Sequence, residues 1–145
     1  MALLIPSRTA QFPLVAEFNF NFDDTMLNDE GVVVDFGASD LTERTVVVIP
    51  LPPGATVIGG AFTRHVAFDT AGYDVTVGDT TDEDRYLASA DLKALGSTPL
   101  VPTGYVGVGE NIVLNITTDD VCTTGSATLR VEYVVANRSN EVQIA

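Results

Sequence analysis

Apolar and polar residues alternate strictly along a segment near the start of the chain. The apolar positions are Phe12, Leu14, Ala16, Phe18, Phe20 and Phe22, and the opposing polar positions are Gln11, Glu17, Asn19 and Asn21. Successive side chains of an extended strand point to opposite faces of a sheet, so the pattern predicts a strand over 11–22 with one buried face. Pro13 lacks a backbone donor, which indicates that this strand is an edge strand or starts late.

A second segment with the same alternation lies near the end of the chain. Its apolar positions are Ala127, Leu129, Val131, Tyr133 and Val135, and its polar positions are Thr128, Arg130 and Glu132. This pattern predicts another half-buried strand. Two such strands at opposite ends of the sequence indicate one all-β domain that is closed by its own termini.

Shorter strand patterns occupy the interval between these two segments. They lie at 32–36, 45–49, 56–68, 73–77, 104–108 and 111–117. The run 45–49 is rich in β-branched residues and is predicted to be buried on both faces. Gly59 and Gly60 permit a bulge or a bend within the strand over 56–68. Ser89 as a cap and Gly96 as a stop predict one or two helical turns over 89–95.

The spacing of these elements predicts the fold class. About eight short strands, with turn signals roughly every ten residues, are typical of a single-domain antiparallel β-sandwich. The sequence contains no internal repeat and no linker-like stretch that would divide it. We therefore expect an N-terminal arm over 1–10 and a single β-sandwich domain over 11–145. Such an arm either frays or docks on a neighbouring subunit.

Composition narrows the class of partner. The chain has 145 residues, of which 46% are hydrophobic, so it can bury a substantial core. Twenty acidic residues against seven basic ones give a formal charge of −13. Nucleic-acid binding depends on clustered cationic side chains, so we expect no nucleic-acid partner. The acidity indicates a soluble protein that resists nonspecific association.

Features of export and of membrane insertion are also missing from the sequence. The first residues lack the charged leader and long apolar run of a signal peptide, and no segment approaches the ~18 apolar residues of a membrane span. We expect a soluble protein that is made without export and has no membrane partner. Cys122 is the only cysteine, so no internal disulfide can form, and it is predicted to be a half-exposed bystander.

Groups that could carry out catalysis are sparse. His65 is the only histidine and is predicted to lie at the surface. The sequence lacks a serine-nucleophile elbow, phosphate-binding glycine loops and enough His and Cys for a zinc site. Carboxylate pairs could hydrolyse glycosides, but twenty acids make any pairing uninformative, and the chain has no Trp to form a sugar platform. We expect no enzyme activity, no catalytic residue and no cofactor.

An acidic loop offers a weak candidate for a metal site. Asp79, Asp82 and Asp84 could supply some of the six to eight oxygen ligands that Ca²⁺ prefers. The spacing of an EF-hand loop is not met, and a solvated turn is the preferred interpretation. The sequence leaves calcium binding by this loop open.

Several motifs resemble one protein family. They are VIPLPPGA at 48–55, VTVGD at 75–79, DEDRYLA at 82–88, LVPTGY at 100–105 and TLRVEYVV at 128–135. Together they resemble small head proteins of tailed bacteriophages that act as capsid cement or decoration proteins. The resemblance covers about 46–138 and leaves the N-terminal segment outside it.

The resemblance implies a jelly-roll-like sandwich that binds the major capsid protein at capsid symmetry axes and forms dimers or trimers. It further implies a protein made in the cytoplasm of a host bacterium and carried on the outer surface of the virion. The alternative is a receptor- or glycan-binding module of a head fibre or tail appendage. The arm and the edge of the first strand are expected to make the capsid or subunit contacts. The candidate contact residues are Leu3, Leu4, Ile5, Arg8, Phe12 and Pro13.

Overall fold

Ten β-strands make up the part of the chain that the structure describes. The computed structural model describes residues 2–6, 10–28, 30–38 and 44–139. The strands are β1 (Leu14–Asn21), β2 (Thr25–Leu27), β3 (Val33–Asp35), β4 (Arg44–Ile49), β5 (Ala55–Val66), β6 (Tyr73–Asp79), β7 (Leu87–Asp91), β8 (Gly96–Pro99), β9 (Ile112–Thr118) and β10 (Ser126–Val135). The described residues contain no helix, and thus none that could cross a membrane.

Two four-stranded antiparallel sheets pack face to face. The first has the order β1-β10-β5-β8 and the second has the order β4-β9-β6-β7, while β2 and β3 form a separate hairpin. Apart from this hairpin, successive strands alternate between the two sheets at every step except β6 to β7. This connectivity is that of a jelly roll. The predicted antiparallel, jelly-roll-like sandwich is confirmed.

The core lies between the two sheets and is rich in aromatic side chains. The alternation in β1 directs Phe18 and Phe20 inward, where Phe20 stacks on Phe36 with ring centroids 4.6 Å apart. Tyr73 is fully buried, and its hydroxyl donates a hydrogen bond of 2.8 Å to the carbonyl of Phe36. This bond satisfies a polar group that would otherwise be costly to bury. The core therefore links the first sheet to the segment that follows the hairpin.

Two predictions about strand geometry are confirmed. Among the described strands, β1 forms one edge of the first sheet, and it begins at Leu14, directly after Pro13. Between β5 and β10 the register shifts at Ile58, which leaves this residue as a bulge. Gly60 follows with φ 123°, and a Cβ there would lie 2.1 Å from the carbonyl oxygen of Arg130. Glycine is therefore required at this close approach of two strands.

Other sequence predictions are wrong. The segment 89–95 is not helical, because Ala90 pairs with Val75 in the second sheet and this tertiary pairing outweighs a weak local signal. The segment 104–108 is not a strand and makes only an isolated bridge from Val106 to Thr56. The run 45–49 is only half-buried on its outer face. Its buried residues, Val46 and Ile49, both lie on the core face of β4 because a bulge at Val48 shifts the alternation.

Cys122 is buried rather than half-exposed, so that prediction is also wrong. Its backbone N–H donates a hydrogen bond of 2.9 Å to the carbonyl of Gly37, which draws the loop onto the core. Burial raises the pKa of its thiol to about 11. The thiolate is the reactive form of cysteine, so this side chain is chemically inert at neutral pH.

Candidate docking surfaces

Three chain segments are bonded together at the end of the sandwich from which the N-terminal segment leaves. The N–H of Gly54 donates to the carbonyl of Gly107 at 2.7 Å, and the N–H of Gly107 donates to the carbonyl of Ala55 at 2.9 Å. The N–H of Ala136 donates to the carbonyl of Gly54 at 2.8 Å. These backbone bonds make a rigid platform. We call this end of the sandwich, together with the N-terminal segment attached to it, the arm end.

Gln11 attaches the N-terminal segment to this platform. Its side-chain nitrogen donates to the carbonyls of Val135, at 2.7 Å, and Arg138, at 3.0 Å, while its side-chain oxygen accepts the N–H of Val135 at 2.9 Å. The hydroxyl of Ser139 also donates to the carbonyl of Ala10 at 3.1 Å. The side-chain amide of Gln11 thus pairs with the backbone of Val135 in the way that a neighbouring strand would. This pairing fixes the point at which the N-terminal segment leaves the sandwich.

The candidate contact residues before and after Gln11 are exposed. The exposed fractions are 93% for Leu3, 88% for Leu4, 73% for Ile5 and 77% for Phe12. Pro13 is also exposed, and Arg8 lies outside the described residues. Clustered exposed apolar side chains are a recognised mark of interaction sites. Their exposure makes the arm end a candidate docking surface.

Further apolar side chains at the arm end were missed by sequence reasoning. Val106 and Val108 are both exposed and flank Gly107, which the platform bonds fix in place. The only sequence signal was a short valine–glycine alternation at 104–108, and it was interpreted as a strand. The fixed loop instead extends the apolar surface beside the arm.

The outer face of the first sheet forms a second, polar surface. It is a shallow groove of about 490 Å³, lined by Glu17, Asn19, Ala61, Thr63, His65, Ser97, Thr128 and Arg130. The guanidinium of Arg130 donates to the carboxylate of Glu17 at 2.7 Å, and His65 lies 2.9 Å from the hydroxyl of Thr128. His65 is therefore a surface residue, as predicted. Its neighbours form a polar ladder, in which the hydroxyl of Thr128 donates to the side-chain oxygen of Asn19.

The acidic loop is organised by an internal ion pair. Asp79 is buried, and its carboxylate accepts a hydrogen bond of 2.6 Å from Arg85. Burial raises the pKa of Asp79, but the hydrogen bonds from Arg85 and Thr81 outweigh burial and hold this pKa below its usual value. The same guanidinium lies 3.7 Å from the centre of the Tyr105 ring, whose hydroxyl donates to Glu110.

This arrangement bears on the candidate metal ligands. Across the part of the chain that the structure describes, no three His, Cys, Asp or Glu residues are gathered for a metal ion, and Asp79, Asp82 and Asp84 form no such group. Asp84 shares a hydrogen bond with Asp82, which raises the pKa of Asp84. Asp79 instead pairs with Arg85, and the guanidinium of Arg85 joins the acidic loop to the ring of Tyr105.

A third concave surface lies on the outer side of the second sheet. This cleft of about 390 Å³ is lined by Asn28, Glu30, Arg44, Thr45, Val47, Thr80, Glu83 and Val113. Two of its lining residues are acids, as a glycosidase would require. The carboxylate of Glu83, however, accepts a hydrogen bond of 2.8 Å from the amide of Asn115. This contact holds the acidic loop against the sheet and gives Glu83 a structural role.

Comparison with known proteins gives results at the level of structure alone. No family model matches the sequence, and no curated protein matches it. A chain of the cyanophage Pam1 capsid asymmetric unit is 18% identical, with 92% of this chain and 94% of that chain covered and a TM-score of 0.58.

Two further solved structures give the same result. A chain of the acidic stable capsid of Helicobacter pylori bacteriophage KHP30 is 17% identical, with coverage of 92% and 95% and a TM-score of 0.62. A chain of the capsid of Ralstonia phage GP4 is 12% identical, with coverage of 93% and 91% and a TM-score of 0.55. This protein therefore shares its fold, over nearly its whole length, with chains found in three phage capsids.

Proposed function

We propose that this protein is a structural component of a phage head that binds the outer surface of the shell as a cement protein. The observation that carries the proposal is the end-to-end likeness to chains of three phage capsids, which leaves no large part of either chain unmatched. The sequence motifs at 48–55 and 128–135 resemble the same class of protein. The proposed partner is the major capsid protein.

The proposed mechanism is mechanical and involves no cofactor or catalytic residue. Each copy bridges neighbouring capsid subunits and opposes their separation under the pressure of packaged DNA. The arm end supplies the contact, through Leu3, Leu4, Ile5, Phe12 and Pro13, with Arg8 as the cationic residue of the same segment. A specific interface typically buries about 1,600 Å². Repetition over the shell makes a modest affinity per copy sufficient.

Charge supports attachment to the outer surface of the virion. The formal charge of −13 would be repelled by DNA phosphates inside a filled head, whereas the outer surface carries no such penalty. The chain would be made in the cytoplasm of the host bacterium and added to the shell there. The arm carries no acidic residue, so the segment that is proposed to contact the shell adds nothing to this negative charge.

Copy number tests the proposal. Quantitative mass spectrometry of virions purified from the source of the sequence would compare this chain with the major capsid protein. We expect a fixed ratio of the same order as the capsid subunit, and cryo-electron microscopy of the same virions would locate it on the outside of the shell. A few copies per particle, or density inside the shell, would contradict the proposal.

The polar groove of the first sheet favours a second candidate, a receptor- or glycan-binding module of a head fibre or tail appendage. The hydroxyls of Thr63, Ser97 and Thr128 could bond a sugar. The lining includes no Phe, Tyr or Trp on which a sugar ring could stack. An appendage is present in few copies, so the mass-spectrometric ratio separates the two candidates. Measurable binding of a host glycan that is lost in Thr128→Ala would support the second.

A further inference from the structure

The β2–β3 hairpin carries an apolar surface that the described residues of a single copy leave exposed. Leu27 and Val33 are cross-strand partners, and each is 62% exposed. Val32, next to them, is more than half exposed. The opposite side of the hairpin is buried through Val34, which belongs to the core. We call Leu27, Val32 and Val33 the hairpin patch.

Hydrogen bonds hold this patch in a fixed shape. The side-chain oxygen of Asn28 accepts the N–H groups of Glu30, at 3.0 Å, and Val32, at 2.9 Å. The N–H of Asn28 donates to the carbonyl of Val32 at 2.9 Å, which closes the turn. At the base of the hairpin, the N–H of Phe36 donates to the carbonyl of Asp24 at 3.0 Å. A partner would therefore meet an ordered surface and lose less entropy on binding.

The distribution of charge along the sequence identifies a segment that is complementary to this patch. All twenty acidic residues lie at position 17 or later, and Arg8 is the only charged side chain before that position. The acids that surround the hairpin patch in sequence are Asp23, Asp24, Asp29, Glu30 and Asp35. An apolar segment that lacks acids and carries one cation is complementary to an apolar patch among carboxylates.

We infer that the arm of one copy docks on the hairpin patch of a second copy. In a single chain Leu3, Leu4 and Ile5 stay exposed, as does the patch. The arm joins the sandwich just before Leu14 and the hairpin leaves it just after Asn21. These two points are separated by the length of β1, about 23 Å. Reciprocal docking closes a dimer, and head-to-tail docking closes a ring. The inference concerns self-association in solution. It uses the same arm residues as the proposed head contact, so one arm serves one of these two partners at a time.

A photo-crosslinking experiment with the full chain tests the contact. Leu4 is replaced by p-benzoylphenylalanine, and unlabelled and ¹⁵N-labelled proteins are mixed in dilute solution, concentrated and irradiated. We expect crosslinked peptides that join a light arm to a heavy hairpin, and the reverse, with attachment within 25–35. Crosslinks confined to peptides of one isotope would show that the arm binds its own chain and would overturn the inference. Attachment elsewhere on the second copy would also overturn it.

Charge insertion gives a second readout by light scattering after size-exclusion chromatography. Leu4→Asp and Val33→Asp are each expected to reduce the assembly to the mass of one chain, 15.3 kDa. Leu95→Asp is the matched control, since Leu95 is an exposed leucine outside both surfaces, and it should retain the wild-type mass. A wild-type protein that is monomeric up to millimolar concentration would contradict the inference. Equal dissociation of all three variants would also contradict it. Circular dichroism verifies that each variant is folded.

Discussion

The two ends of the sandwich use their loops in opposite ways. At the end remote from the arm, the carboxylate of Asp69 accepts the N–H groups of Thr123, at 2.6 Å, and Thr124, at 3.0 Å, together with the hydroxyl of Thr123. The hydroxyl of Thr124 donates to the carbonyl of Ala67 at 3.0 Å. We call this arrangement the clasp. Its polar groups bond to one another, so at this end the surface that a partner could use is the hairpin patch and not the clasp.

At the arm end the polar groups are also bonded, but the apolar side chains remain outside. Gln11 fixes the segment while Phe12 and Leu4 extend into solvent. Buried apolar area stabilises either a fold or an interface, depending on what covers it. The comparison separates a clasp whose bonds stabilise the fold from an arm end that leaves apolar side chains exposed, as the proposed contact requires. Substitutions at the two ends should therefore separate stability from binding.

The largest effect on stability is expected from Phe68→Ala, beneath the clasp. Phe68 is fully buried, and its ring lies 4.6 Å from that of Tyr73 and 5.8 Å from that of Phe20. Removing a buried aromatic ring costs about 3–5 kcal/mol of unfolding free energy. Urea denaturation would measure the loss. A loss below about 1 kcal/mol would show that the clasp end contributes little to the fold.

Removal of residues 2–9 should affect binding and leave stability nearly unchanged. Each large apolar side chain that becomes buried contributes about 1.5–3 kcal/mol, so losing Leu3, Leu4 and Ile5 should weaken head binding by at least ~10-fold. Co-sedimentation with heads that lack this protein would measure the affinity. Replacing 2–9 by a Gly/Ser segment of equal length is the matched control for chain length. Undiminished binding by both variants would remove the arm from the interface.

Gln11→Ala should produce smaller changes in both properties. It removes three hydrogen bonds to Val135 and Arg138, each of which contributes about 0.5–1.5 kcal/mol to stability. We expect a loss of about 1–2 kcal/mol in urea denaturation and weaker head binding, because the arm loses its fixed exit point. Gln11→Glu keeps an acceptor for the N–H of Val135 and should be intermediate. Wild-type behaviour of both variants would show that Gln11 does not anchor the arm.

The smallest effect concerns pH. Hydrogen bonds from the hydroxyl and N–H of Thr123 and from the N–H of Thr124 lower the pKa of Asp69 to about 2, from the usual 3.8. A carboxyl whose pKa is lower in the folded state stabilises the fold above pH 4 and loses this contribution as the pH falls toward 2. Melting temperatures between pH 5 and 2 should therefore fall less in Asp69→Ala than in wild type. Parallel curves would show that Asp69 makes no such contribution.

The sequence by itself determined the class of fold and much of its strand layout. The alternation in β1 and β10 predicts which face each strand buries, because the two-residue period depends only on local backbone geometry. Pro13 likewise indicated an edge strand, and Gly59 with Gly60 indicated the bulge in β5. Local chemistry was sufficient for a correct prediction wherever a residue type decides which conformations its own backbone can adopt.

Only the tertiary structure decided which residues meet. The bond between Gln11 and Val135 joins positions 124 residues apart, and no local pattern specifies such a partner. The same reason explains why 89–95 is not helical: pairing of Ala90 with β6 stabilises a strand that local propensity does not favour. Asp79 resembled a solvated loop residue in sequence, yet its environment is set by Arg85 and by burial. Partner choice depends on the free energy of the whole packed chain, which a single segment does not encode.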